Sequence, residues 1–257
     1  MRRTAIAVLL LTASIVAVAQ GNAIQKESLR VQFDARIAPS SLPRKRPAPV
    51  TLKFTGKIGT TDGTRPPALN ELSVAFNRAG RLSLQGLPVC PPSRIQQTTT
   101  EAALAACPGA LVGHGSFSAN VDFQGAPAIP AHGKVLVFNA RIHGRPSLLL
   151  HLYGSSPVRA AFVLPFIVSH LRHGAFGVSL STQIPRLASG LGYITELKLA
   201  IGRRYGFAGR RRSVLSASCA LPAGFTTLPI DLAKARFSFD DGRTVTGNIG
   251  GECRVRQ

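Results

Sequence analysis

Apolar residues recur at every second position in several stretches of this chain, which is the periodicity of a strand with one buried face. The clearest runs are Leu29 to Ile37, Val50 to Phe54, Leu72 to Phe76 and Val135 to Phe138, and the last of these shifts by one position at its end. Each run predicts a half-buried β-strand.

The segment from Leu148 to Val168 is apolar over nearly its whole length, but one glycine and two prolines interrupt it. These interruptions predict consecutive buried strands and not a helix that crosses a membrane. Further along, Asp241-Gly242 lies between alternating apolar residues, and such a dipeptide is typical of a tight turn. We therefore predict a β-hairpin from Arg236 to Thr246.

One segment favours a helix. Thr98 and Glu101 have the spacing of a capping box, alanines and a leucine fill residues 102–106, and Pro108-Gly109 ends the run. The pattern as a whole predicts an all-β fold: a β-sandwich or a related two-sheet fold of ten or more strands, with one short helix near residues 99–106. The 25 glycines and 18 prolines in 257 residues agree with this, because they imply many chain reversals.

Residues 1–23 have the parts of a secretory signal peptide. Arg2 and Arg3 precede an uncharged apolar run over residues 5–18, and small residues allow cleavage after Ala19 or after Ala23. The run is shorter than the roughly 20 residues that a spanning helix needs, so we expect no integral membrane anchor after cleavage. Residues 24–257 are then expected to form a single secreted domain, free or associated with the cell envelope. A division into two half-chain lobes, with a boundary near residues 157–165, stays open.

The chain has four cysteines: Cys90, Cys107, Cys219 and Cys253. An even number in an exported chain predicts two disulfides. Pairing of neighbours, Cys90 with Cys107 and Cys219 with Cys253, is favoured because it closes loops of modest length, but two other pairings stay open. The cysteines are isolated singles without a C-x-x-C pair, which argues against a zinc site, and we expect no metal.

Basic residues outnumber acidic residues by 31 to 11, and loss of Arg2 and Arg3 lowers the formal net charge only from +20 to +18. A secreted protein of this charge is attracted to anionic polymers. The excess is mostly arginine, and it is concentrated in a proline-rich loop, Arg44-Lys45-Arg46, and around the turn from Gly206 to Gly209.

The second cluster supplies the candidate anion-binding residues: Arg203, Arg204, Arg210, Arg211 and Arg212. If residues 194–201 pair with residues 213–219, these arginines lie at one end of a single hairpin. Guanidinium groups bind phosphate and carboxylate in bidentate fashion, so the cluster predicts an anion-binding surface. The alternative is a solvated sheet edge whose charge discourages strand-to-strand aggregation.

Composition and motifs exclude several function classes. Three tyrosines and no tryptophan leave few stacking platforms, so we expect no specific nucleic-acid partner, and most of the 13 phenylalanines occupy predicted core positions. Hydrolase, metalloprotease and nucleotide-binding motifs are missing from the sequence, so we expect neither catalysis nor a cofactor. An extracellular hydrolase remains the competing hypothesis: His143 and His151 flank a turn, and Asp122 or Asp34 would orient one of them.

The sequence resembles a family of secreted, paralogous actinobacterial proteins that has no assigned activity. The resemblance rests on structural motifs spread over most of the chain: Gly86-Leu87-Pro88-Val89-Cys90, Ala110-Leu111-Val112-Gly113, Phe138-Asn139, Ser213, Ala217-Ser218-Cys219 and Cys253. It implies export and a disulfide-crosslinked β-fold, and it brings no site residues. The chain departs from the family's pattern after its third cysteine, where Ala220-Leu221 precedes Pro222.

Together these observations predict a secreted, non-catalytic protein that binds an anionic envelope polymer through a basic surface. A purely structural interaction module is the third hypothesis. It predicts a partner surface made of exposed apolar residues or a sheet edge, with no salt-dependent ligand.

Overall fold

The computed structural model describes residues 22–123, 125–157, 159–187 and 190–256. The expected signal peptide therefore lies almost wholly outside the described residues. The helices are α1 (Pro92–Ile95) and α2 (Thr100–Ala106). The strands are β1 (Asn22–Lys26), β2 (Leu29–Ala38), β3 (Ser41–Leu42), β4 (Ala48–Pro49), β5 (Thr51–Thr60), β6 (Leu69–Asn77), β7 (Gly80–Leu82), β8 (Leu111–Val121), β9 (Ile129–Ile142), β10 (Arg145–Gly154), β11 (Ala160–His170), β12 (Phe176–Gln183), β13 (Gly192–Ile201), β14 (Arg204–Phe207), β15 (Arg210–Ser213), β16 (Leu215–Ala217), β17 (Thr227–Phe239) and β18 (Thr244–Val255).

Thirteen strands form one sheet in the order β1-β2-β5-β13-β8-β9-β10-β11-β12-β6-β17-β18-β3. Neighbouring strands are antiparallel, except that β3 runs parallel to β18. Two small sheets complete the described structure: a hairpin of β14 and β15, and a three-stranded sheet in the order β4-β16-β7. The all-β prediction is confirmed.

The large sheet curls until its two ends face each other across a single apolar interior. Phe33 on β2 and Phe237 on β17 have ring centroids 5.6 Å apart, although their strands belong to opposite ends of the sheet. Gly247 on β18 has no side chain at the place where Ile24 and Phe33 approach it. The two faces that enclose the core thus belong to one curled sheet, whereas the alternation in the sequence suggested a sandwich of two.

The predicted strands are present. The alternating runs at residues 29–37 and 72–76 lie in β2 and β6, and the run at residues 50–54 starts one residue before β5. The apolar segment 148–168 contributes residues to β10 and β11, and the predicted hairpin is the β17–β18 pair. Val135 to Phe138 on β9 are all buried, which explains why their alternation shifts. Both faces of β9 are covered: one faces the interior, and the other faces an outer apolar layer.

The outer layer consists of α1, α2 and the segments around them, and the Cys90–Cys107 disulfide crosslinks it. Helix α2 matches the predicted helix, but its N-cap is Thr99, whose hydroxyl accepts a hydrogen bond from Ala102 N at 3.2 Å. Thr98 instead donates to Ile95 O at 2.8 Å. The second disulfide joins Cys219 to Cys253, so pairing of neighbours is confirmed. No helix within the described ranges has the length and apolarity required to span a bilayer.

Candidate functional site

Four of the candidate arginines lie on a small hairpin that stands apart from the large sheet. Strands β14 and β15 pair through Gly206↔Arg211 and Phe207↔Arg210, and they connect through Ala208-Gly209 with φ values of 51° and 70°. The predicted pairing of residues 194–201 with 213–219 is wrong. Strand β13 lies between β5 and β8, and β16 pairs with β4 and β7, because the chain leaves the large sheet after Ile201.

Two aromatic residues attach the hairpin to the body of the protein. The Tyr205 hydroxyl donates to the carbonyl oxygens of Ser83 and Gln85, at 3.3 and 2.8 Å. The Phe207 ring packs against Gly86, which has a φ of 84° and no side chain to obstruct the ring. The hairpin therefore has one attached face, which carries Tyr205 and Phe207, and one outward face.

Two of the five candidate arginines contact other groups of the protein through their guanidinium groups. Arg203, which precedes the hairpin, donates hydrogen bonds to the carbonyl oxygens of Gly109 and Leu111, each at 2.8 Å. The Arg212 guanidinium lies over the Phe207 ring, 5.1 Å from its centroid, in the geometry of a cation–π interaction. Both side chains are only partly exposed.

The other three candidates, Arg204, Arg210 and Arg211, are exposed. Within the described ranges, none of them forms an ion pair or a hydrogen bond through its side chain. Strand alternation and the register place Arg204 and Arg211 on the outward face, while Arg210 lies opposite Phe207 at the tip. The hairpin therefore presents three uncompensated guanidinium groups to solvent.

The basic loop at residues 44–46 likewise has one residue that is hydrogen-bonded within the protein and two that are exposed. Arg44 donates to the carbonyl oxygens of Leu221, Pro222 and Phe225 at 2.6 to 2.9 Å, and so fixes the segment after Cys219. Lys45 and Arg46 are exposed. Here too, arginines that are adjacent or nearly adjacent in sequence serve different purposes.

The histidines and acids of the hydrolase hypothesis do not come together. His151 is fully buried on β10, and its Nε2 lies 3.0 Å from Thr98 O, whereas His143 occupies an exposed turn with a φ of 48°. Asp122 pairs with Arg65 at 3.0 Å, and Asp34 pairs with Arg36 at 3.1 Å. Within the described part of the chain, no cluster of three or more histidine, cysteine or acidic residues is suited to a metal ion.

His151 makes the stability of the protein depend on pH. Burial lowers the pKa of its imidazole below the ordinary value of 6.5, so the folded protein binds fewer protons there than the unfolded chain. Stability from this group is complete above pH 6.5 and decreases as the pH falls below it, by at most about 1.4 kcal/mol per pH unit. We expect His151→Leu to lose about 1 kcal/mol at pH 7.5, from the lost hydrogen bond, and to show a shallower acid slope in urea titrations at pH 7.5, 6 and 5. Equal slopes for both proteins would show that His151 does not cause the dependence.

Two cavities lie at opposite ends of the curled interior. One, of about 540 Å³, is bordered by Arg65, Tyr193 and Arg243. Two of the three arginines that line it are compensated, because Arg65 pairs with Asp122 and Arg243 pairs with Asp241 at 2.6 Å, whereas the exposed Arg186 forms no ion pair with a described residue. The other, of about 110 Å³, has an almost wholly aliphatic lining. Ile58 lines the first cavity and Leu52 lines the second. Both residues are on β5, and the strand between them spans about 20 Å.

No protein-family model, curated protein or solved structure matches this chain. The features of the described structure that are suited to binding a ligand are the three exposed arginines of the hairpin and the two cavities.

Proposed function

We propose that the protein is a secreted, non-catalytic binding protein that attaches to anionic polymers of the cell envelope through the β14–β15 hairpin. The observation that carries the proposal is the set of three exposed and unpaired guanidinium groups, Arg204, Arg210 and Arg211. Guanidinium groups form bidentate, charge-assisted hydrogen bonds with phosphate and carboxylate, which are the repeating anions of such polymers.

The attachment of the hairpin supports a binding role. Tyr205 fixes one strand to the carbonyl oxygens of Ser83 and Gln85, and Phe207 packs on Gly86, so the arginines project from a fixed base. A fixed base lowers the conformational entropy that is lost on binding. Acidic residues that form ion pairs in the described structure do so with other cations, for example Glu196 with Lys57 at 3.3 Å, and not with these arginines.

The charge and the disulfides of the protein agree with a location at the cell envelope. The formal net charge of +18 that remains without Arg2 and Arg3 attracts anionic surfaces over a range limited by salt, about 8 Å at physiological ionic strength. The disulfides Cys90–Cys107 and Cys219–Cys253 are typical of proteins in an oxidising environment. Both observations support an extracellular protein near an anionic envelope.

The test compares the binding of two variants to isolated cell envelopes across a salt series. We expect the triple variant Arg204→Ser, Arg210→Ser, Arg211→Ser to bind about tenfold more weakly than the original protein at low salt, because three exposed contacts contribute a few tenths to 1 kcal/mol each. The matched control removes three exposed arginines from scattered positions: Arg30→Ser, Arg94→Ser and Arg172→Ser.

The control has the same net charge as the hairpin variant, so a difference between the two depends on the location of the charge. Binding that is retained in the control and about tenfold weaker in the hairpin variant would support the proposal. Equal weakening in both variants would show that binding depends on the net charge of the protein and not on the hairpin. Binding that is unchanged by salt and by both variants would contradict the proposal and favour an apolar partner surface.

A further inference from the structure

The 110 Å³ cavity lies where the three-stranded sheet covers one end of the curled sheet. Leu82 on β7 and Leu215 on β16, which are register partners, line it from the small sheet. Leu52, Leu180 and Ile201 line it from strands of the large sheet. Strands from both halves of the chain thus enclose one apolar space.

Empty apolar space of this size is unusual in a packed interior, because the groups around it lose contacts that they would otherwise make. A cavity of roughly 150 Å³ with a similar lining holds a benzene molecule in another protein. The present cavity is smaller, so it has room for several carbons of an alkyl chain, and its lining has the chemistry that such a group requires.

Arg81 supplies a charge at the edge of this cavity. It borders the cavity on β7, an edge strand of the small sheet, and its side chain is exposed on the strand face opposite Leu82. That side chain forms no ion pair or hydrogen bond with any described residue. The other polar groups at the cavity include Asn77, which bonds to Asp231 O at 2.8 Å, and Glu252, which pairs with Arg254 at 3.2 Å. Arg81 is the charged group there that is left to meet a ligand.

From this juxtaposition we infer that the cavity binds a small anionic amphiphile, with its aliphatic tail among Leu82, Leu215 and their neighbours and its carboxylate or phosphate head on Arg81. This ligand site is distinct from the hairpin proposed to bind polymers, although the two adjoin. Ser83 N donates to Val214 O at 2.9 Å, and Val214 N donates to Arg203 O at 2.8 Å, so the cavity wall continues into the base of the hairpin.

The test uses octanoate as the anionic amphiphile and 1-octanol as its uncharged counterpart, followed by amide NMR shifts of the disulfide-bonded protein. Octanoate should shift the amide resonances of Leu82, Leu215 and Ala217 in a saturable way. Its Kd should be about fivefold lower than that of octanol, because one exposed ion pair strengthens binding by about that factor. Arg81→Ser should remove this difference by weakening octanoate alone.

Ala79, a partly exposed turn residue that lines the cavity, offers a variant that fills the space. Ala79→Leu should weaken both ligands by tenfold or more, and Ser218→Leu repeats the test if that variant fails to fold. Absence of saturable shifts at the cavity, equal affinity for octanoate and octanol, or unchanged binding in the filled variants would overturn the inference. The hairpin triple variant should bind octanoate normally, so failure of the polymer-binding proposal and failure of this one are distinguishable.

Discussion

Replacement of both Cys90 and Cys107 by serine is expected to lower the free energy of unfolding by about 4 kcal/mol. The disulfide closes a loop with a sequence separation of 17 residues, for which the chain-entropy model alone gives about 3 kcal/mol. The remainder comes from the serine hydroxyls, since Cys90 and Cys107 are almost completely buried in the outer apolar layer and offer few partners for a polar group.

The loss should be confined to the outer layer at first. Ile95 and Phe138 belong to that layer and are fully buried, whereas the interior of the curled sheet is a separate cluster with its own contacts. In the double serine variant, hydrogen exchange should therefore show reduced protection of the α2 amides while β17 and β18 keep theirs.

Urea denaturation measures the total loss, and Leu104→Ser on α2, at a side chain that is 40% exposed, is the matched control with an expected change below about 0.5 kcal/mol. A uniform loss of protection across all strands would show that the outer layer does not open as a separate unit.

Much of the strand content can be predicted from the sequence because most strands of this sheet bury one face and expose the other. The run from Leu29 to Ile37 alternates cleanly because β2 has one face toward the interior. On β9 the alternation fails because α1 and α2 cover the outer face of the sheet there, so Leu136 and Phe138 are buried in addition to Val135 and Val137. A pattern of period two cannot report a strand that is buried on both faces.

The curling of the sheet is not encoded in any single run of residues. Alternation marks which residues face a core, but the same pattern suits two packed sheets or one sheet that bends onto itself. What distinguishes them here is the order of strands, above all the place of β13 between β5 and β8, which are far from it in sequence. The cavities also depend on the order of the strands, because strands from distant parts of the chain line each of them.

The sequence predicts that the candidate arginines are concentrated in one segment, but it does not predict which of them make contacts within the protein and which face solvent. Arg203 and Arg204 are neighbours with identical side chains, yet Arg203 is held by the carbonyl oxygens of Gly109 and Leu111 while Arg204 is free in solvent. The difference is caused by a segment more than ninety residues away. Local sequence reports the density of charge, and only the fold shows which charges remain available for a ligand.

Phe33→Ala is expected to lower the free energy of unfolding by about 3 to 5 kcal/mol, because Phe33 packs where the curled sheet closes. Phe33 is 2% exposed, contacts Phe237 across the interior, and lies against the bare backbone of Gly247. Its removal leaves a cavity between strands that share no backbone hydrogen bonds, so the surrounding residues have little means of compensating for it.

A double-mutant cycle separates the contact across the interior from burial alone. Phe237→Ala should be similarly destabilising, and the double variant should lose about 1 kcal/mol less than the sum of the two, because the aromatic pair is already absent after either change. Urea denaturation gives all four free energies, and Phe225→Ala, at a side chain that is 51% exposed, is the control with an expected change below about 0.5 kcal/mol. Strict additivity would mean that β2 and β17 are stabilised independently of each other. A coupling of the expected size would instead show that side-chain packing between β2 and β17 joins the two ends of the sheet.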